Sequence, residues 1–256
     1  MSSLAWKINR LKLMSPAEVA WRVAKHGQKL TARFGIDSAK RPPTAKRSAF
    51  GASFVHFKSD ADDVANIVVA ANTIIAGRWR VFAMEAAPLG FPPQWNRDPK
   101  TGTVAPLAPG KSIDYRREHL VGDIKYLWEP ARHLELVTLA LAWRASDSPA
   151  HLHACRTLLD SWFEQCPYPL GVHWTSSLEL AVRLVNWAFA WQLLGGENSP
   201  LFSGADGEAF RDRWLANVYQ HCHFIAGYFS RHSSANNHLF GEYMGLFVAS
   251  LNWPCW

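Results

Sequence analysis

The sequence predicts an all-α fold built from antiparallel helical hairpins. Three observations carry this reading. Apolar residues recur at helical spacing, as in Leu178, Ala181, Leu184, Val185, Ala188 and Trp191. Helix starts and stops are marked by capping residues, prolines and glycines. The connections left between the marked helices are short, which places successive helices antiparallel. Such hairpins either curve into an α/α toroid or stack as a flatter solenoid, and no strict repeat chooses between the two.

The elements follow in order. Ser15-Pro16-Ala17-Glu18 reads as a capping box with proline at the first helical position, opening a helix that runs to about Arg33 and stops at Gly35. Residues 1–58 form this helix and a basic linker in which Lys40-Arg41 and Lys46-Arg47 flank Pro42-Pro43; residues 59–256 form the helical domain proper. A second helix starts near Ser59. Asp60, Asp62 and Asp63 in its first turn suit the positive end of the helix dipole, and Gly77 ends it. The segment 78–115 is too rich in proline and glycine for a long helix and is expected to be irregular, with Trp79, Phe82, Phe91 and Trp95 along it. Helices follow at about 117–128, 130–145 and 150–165. Ser176 and Glu179 form another capping box, opening a helix that Gly195-Gly196 closes. A long helix at about 206–229 and a last one from near 237 complete the series.

At 256 residues the chain fits one extended domain, and 48% hydrophobic with 19% charged residues is ample for a core. A formal net charge of +6 points to an anionic partner: nucleic acid, acidic polysaccharide or a membrane surface. The basic residues are not arrayed along one helix and no nucleic-acid-binding motif is present, so nucleic acid is not the expected partner. No apolar run approaches the ~18 residues of a membrane span. MSSLAWKINRLKLMS lacks a continuous apolar stretch and a cleavage site, so a cytoplasmic location is expected, with periplasm or cell envelope as the alternative. Cys155, Cys166, Cys222 and Cys255 form no C-x-x-C pair and read as reduced, buried thiols. His221-Cys222-His223 resembles a metal cluster only superficially, because neighbouring helical side chains point about 100° apart. Neither a metal nor a cofactor is expected.

Three polar clusters stand at helix starts. GDIKYLWEPAR holds Asp123, Lys125, Trp128, Glu129 and Arg132. GVHWTSSLELAVR holds His173, Trp174, Ser176, Ser177, Glu179 and Arg183. SSANNHLFGEY holds Asn236, Asn237 and His238. Glu179 and Arg183 lie four apart and are expected to pair on one helix face. Trp95, Trp128 and Trp174, beside polar neighbours, suit stacking on sugar rings, although most tryptophans are core residues. A helix N-terminus offers unpaired N–H groups and a positive dipole end to an anionic group. Glu242, four residues after His238, is placed to orient its ring. The ordinary reading of the same residues is a helix cap and a structural histidine.

In this order and spacing, GDIKYLWEPARHLELVTLALAW, GVHWTSSLELAVRLVNWAFAW and SANNHLFGEYMGLFVAS resemble the heparinase II/III-like polysaccharide lyases, and within them the N-terminal α/α-toroid domain. SPAEVAWRV and PPQWNRDPKTG fit the same pattern, so the likeness covers nearly the whole chain. The resemblance implies β-elimination on a uronic-acid-containing polysaccharide such as a heparin-like glycan, alginate or a bacterial exopolysaccharide. A base removes the proton at C5, the glycosidic oxygen at C4 leaves, and the sugar carboxylate must be neutralised meanwhile. It implies Asn237 as the carboxylate neutraliser and His238 as its neighbour in neutralisation or base catalysis. Asn236, Trp174, Ser177, Glu179, Arg183, Trp128 and Glu129 are then the expected substrate contacts. The family's catalytic tyrosine lies several tens of residues beyond its Asn-His pair and is followed by a β-sandwich domain. The sequence ends at Trp256 with neither, and Tyr219 and Tyr228 precede the motif with nothing to tie them to it. Tyr243 is about 140° around the helix from His238. The expectation is therefore an incomplete toroid that exposes apolar helix faces, self-associates and is catalytically doubtful. The alternative is a non-catalytic helical glycan-binding or scaffold protein.

Overall fold

Residues 9, 13–33, 37–46, 50–51, 53–58, 60–232 and 235–256 are described by a computed structural model. Gly35, Arg47, Ser59, Ser233 and Ser234, on which parts of the sequence reading rest, lie outside the described residues. The fold is all-α apart from one small hairpin. Helix α1 spans Pro16–Arg33, with the Ser15 hydroxyl accepting from Glu18 N at 3.2 Å as a capping box requires. Helix α2, Ala61–Ile75, is capped by Asp60, whose carboxylate accepts from Asp63 N, and Gly77 at φ +76° follows it.

The segment 78–115 is not wholly irregular. Strands β1 (Arg78–Val81) and β2 (Met84–Pro88) pair antiparallel, burying Trp79 and Val81 while Arg78 and Arg80 face outward. The helix expected at 117–128 divides into α3 (Glu118–Val121) and α4 (Ile124–Trp128). Gly122 at φ +76° makes the break, and the Asp98 carboxylate fills the space a side chain there would need. Asp98 also accepts from Asp123 N at 2.8 Å, so the break is tied down from across the fold.

Helices α5 (Leu134–Ser146), α6 (Pro149–Gln165), α7 (Ser177–Leu193), α8 (Gly204–Gly227) and α9 (Asn237–Asn252) build the body. Helices α2, α5, α7 and α9 lie side by side, each packed on the next, while α6 and α8 pack behind α5 and α7 and touch each other. This is a two-layer arrangement of α/α hairpins. Helix α7 is central, contacting α5, α8 and α9, and buries a wide face that includes Leu180, Leu184, Trp187 and Ala190, while Phe189 on the opposite side is exposed. Gly245 lets α9 come close to α7, since a Cβ there would sit 2.6 Å from that of Ala181. The outer face of α9 carries Phe240, Met244, Phe247 and Leu251, all exposed. Residues of the expected linker lie on this body: Lys46 N donates to Cys255 O at 2.7 Å and Gly51 N to Asn252 O at 3.1 Å. Among the described residues, no helix is long and apolar enough to cross a membrane.

Candidate functional site

Parts of all three polar clusters converge on one groove of about 550 Å³. Helix α4 supplies Lys125 and Trp128, the turn after it Arg132, the first turn of α7 Ser177 and Glu179, and the start of α9 His238. Lys111, Tyr115 and Tyr228 complete the walls. Trp128 is half-buried; its indole N–H donates to Val172 O at 3.2 Å and its ring leans on Tyr115 at 5.2 Å, leaving it fixed at the groove wall. Glu129 lines a second cavity beside the first.

The expected pairing of Glu179 with Arg183 does not form. Arg132 takes Glu179 instead, with Nε to Oε2 at 2.8 Å and Nη2 to Oε1 at 3.1 Å, and its third nitrogen, Nη1, reaches Glu129 Oε2 at 2.6 Å. A planar guanidinium matches a carboxylate at two points, which a helix neighbour four residues away does not offer here. The hydrogen bond to Glu179 raises the pKa of Arg132, which binds its proton the more firmly. Glu179 is thereby unavailable for its own helix end, and Ser176 makes no side-chain cap.

Arg183 and Trp174 are not groove residues. Arg183 is 0% exposed: Nε donates to Ala131 O, Nη1 meets His221 Nε2 at 3.0 Å, and the guanidinium lies 4.1 Å over the Trp162 ring. Trp174 is likewise 0% exposed, donating to Cys166 O and packing on Tyr168, His221 and Phe224. Both belong to an aromatic and imidazole core beneath the groove. His221 faces Arg183 while His223 faces Asp37, so the His-Cys-His triplet diverges. Among the described residues, no group of His, Cys, Asp and Glu side chains is arranged to hold a metal ion.

The N-terminus of α9 keeps one expectation and alters two. Asn236 is the cap, its side chain accepting from His238 N at 2.8 Å, and this fixes the backbone from which His238 enters the groove. Asn236 and Asn237 are themselves exposed and do not line the groove. Glu242 does not orient His238. It is 1% exposed, and its two oxygens accept from the Ser230 backbone N and hydroxyl, both at 2.7 Å, which ties the chain before α9 to the helix.

Tyr228 is the residue that sequence reasoning left unplaced. It caps the C-terminal end of α8, where no motif marks it. Its carbonyl accepts from the Ser177 hydroxyl at 2.8 Å, and Lys111 Nζ stands 4.8 Å from its ring centroid. Burial raises the pKa of its phenol, with the charge of Asp37 adding to the effect. Tyr228 stands between this groove and a neighbouring pocket that holds Asp37 and Tyr168, and it lines both. Lys125 is exposed there and forms no ion pair among the described residues. Set against family models, curated proteins and solved structures, the chain matches none of them.

Proposed function

We propose that the groove binds an acidic, uronate-containing polysaccharide and that the protein cleaves it by β-elimination. The observation that carries this reading is the meeting of Trp128, Ser177, Glu179 and His238, brought from three separate sequence clusters, with Lys125 and Tyr228 in one groove. Each has a part that its setting suits. Trp128 offers an amphipathic wall for a sugar ring. Arg132 is engaged by Glu129 and Glu179, so Lys125 is the cation that meets the sugar carboxylate and makes the C5 proton more acidic. His238 takes that proton. The electron pair forms the C4–C5 double bond, the C4–O bond breaks, and the Tyr228 phenol gives its proton to the leaving oxygen. A phenol whose pKa is raised stays protonated at neutral pH, which suits an acid rather than a base.

His238→Ala and Tyr228→Phe are each expected to lower kcat by about a hundredfold or more, the usual range for proton-transfer groups, with KM little changed. Lys125→Ala is expected to raise KM and lower kcat together. Steady-state kinetics on uronate polysaccharides checks this, and variants as active as the parent chain would remove these residues from the reaction. The non-catalytic alternative, a glycan-binding protein, is favoured by one observation: Asn237, the carboxylate neutraliser implied by the resemblance, stands outside the groove. On that reading Asn237→Ala and His238→Ala leave glycan affinity nearly unchanged, and no turnover is seen in the parent chain or in any variant.

A further inference from the structure

A second cavity of about 810 Å³ adjoins the first, and Phe82 and Arg132 line both. Strand β1 projects Arg78 and Arg80 into it, by the same alternation that buries Trp79 and Val81. Neither arginine has an ion pair among the described residues, and both stand on a short, hydrogen-bonded hairpin. To the same lining α5 contributes Glu135. One oxygen of its carboxyl, Oε2, is sealed from solvent and has no hydrogen-bond partner. A buried polar atom left unpaired in the wall of a cavity is costly unless a ligand satisfies it. Asn186 of α7 and Thr73 of α2 add neutral polar groups to the same wall.

We propose that this cavity is a second saccharide subsite of the same cleft, in which Arg78 and Arg80 bind the acidic group of the neighbouring sugar unit while Glu135 and Asn186 bind its hydroxyls. The inference rests on the polysaccharide reading of the first groove and adds to it: the ligand is acidic on successive units and is read over several sugars. Two guanidiniums on adjacent outward positions match a carboxylate or sulfate, and Phe82 stands at the junction as a surface for a sugar face. The charged groups that line this cavity with Glu135 are Arg78 and Arg80 from β1, Glu85 from β2, and Glu129 and Arg132 from the turn before α5, and of these Glu129 is the one whose charge acts on Glu135. Burial, reinforced by the Glu129 charge, pushes the Glu135 carboxyl up to about 8, so at neutral pH it carries a proton and can donate a hydrogen bond to a sugar oxygen.

The test is calorimetric binding of alginate-derived and heparin-derived uronate oligosaccharides of two, four and six units to the full chain. His238→Ala serves as the background, so that turnover does not intervene. Affinity is expected to rise about tenfold or more from two to six units. The Arg78→Ala/Arg80→Ala pair is expected to abolish that rise while leaving the two-unit ligand unchanged, whereas Trp128→Ala weakens every length. Both arginines are exposed, so the double variant keeps the thermal midpoint of the parent. Raising the pH from 7 to 9 is expected to weaken six-unit binding, and Glu135→Gln to remove that weakening. A length gain that survives in the double variant, or no gain with length at all, overturns the subsite and leaves the first groove standing. Failure of every length to bind overturns the reading of the first groove, and the subsite with it.

Discussion

Replacing Arg183 by alanine is expected to destabilise the protein by about 4 kcal/mol, the range found when one partner of a buried charged network is removed and a cavity is left. Arg183 is fully buried and makes no salt bridge among the described residues. Its charge is held by the Ala131 carbonyl, the His221 ring and the face of Trp162, while Nη2 has no partner. Burial lowers its pKa to about 10, which still leaves it cationic at neutral pH. Truncation strands the Ala131 carbonyl and His221 and opens space beside Trp162. Arg183→Met fills most of that space without a buried charge and is expected to cost about half as much. Denaturant unfolding of the two variants checks this, and an alanine variant within about 1 kcal/mol of the parent contradicts the buried-network account. The methionine variant is also expected to keep glycan affinity, because Arg183 does not reach the groove.

Acidification from pH 7 to 5 is the second large effect. His133, His173 and His221 are buried around Arg183, and all three pKa values are lowered, first by burial and then by that neighbouring charge. For His173 the value falls to about 3. The unfolded chain binds protons at these rings near pH 6.5 and the folded chain does not. Their contribution is therefore complete above pH 6.5 and is lost as the pH falls below it, by about 2 kcal/mol per ring at pH 5 and about 6 kcal/mol in all. Glu135 acts in the opposite sense. Its folded carboxyl keeps a proton up to about 8, whereas the unfolded group releases it near 4.5, so acidification restores about 2.5 kcal/mol. The net expected loss is about 3.5 kcal/mol, a large fraction of a typical domain's stability. Urea unfolding at pH 5 and pH 7 measures it, and Glu135→Gln is expected to steepen the loss by removing the offset. Equal stability at the two pH values contradicts the neutral, buried state of the three rings.

Much of the fold was legible because its signals are local. Ser15-Pro16 and Asp60 start helices by satisfying their own N–H groups, and Gly77 and Gly195 end them by adopting φ values that other residues avoid. The β1–β2 hairpin was not legible: its alternation spans only four residues and is surrounded by proline and glycine. Long-range pairing also changed what local spacing suggested. Glu179 was placed to close a capping box or to meet Arg183, and Arg132, far away in sequence, displaces both with a two-point contact.

The candidate site divides in the same way. Trp128, Ser177, Glu179 and His238 were marked because each stands near a helix end, and the packing of α4, α7 and α9 brings those ends to one groove. Trp174 and Arg183 share that sequence neighbourhood but turn into the core, where their partners Cys166, Ala131 and His221 come from other elements that local spacing does not reveal. Tyr228 and Lys111 carry no motif and become visible only through the walls they form. The outward position of Asn237 departs from the role that the resemblance implies.

The most direct test is to incubate the purified chain with heparin-like glycans, alginate and acidic bacterial exopolysaccharides and to follow the ultraviolet absorbance of newly formed unsaturated uronate. The account predicts a steady rise on at least one of them, nearly abolished in both His238→Ala and Tyr228→Phe. A folded chain that binds these polysaccharides and yields no unsaturated product contradicts it and leaves the groove as a binding site alone.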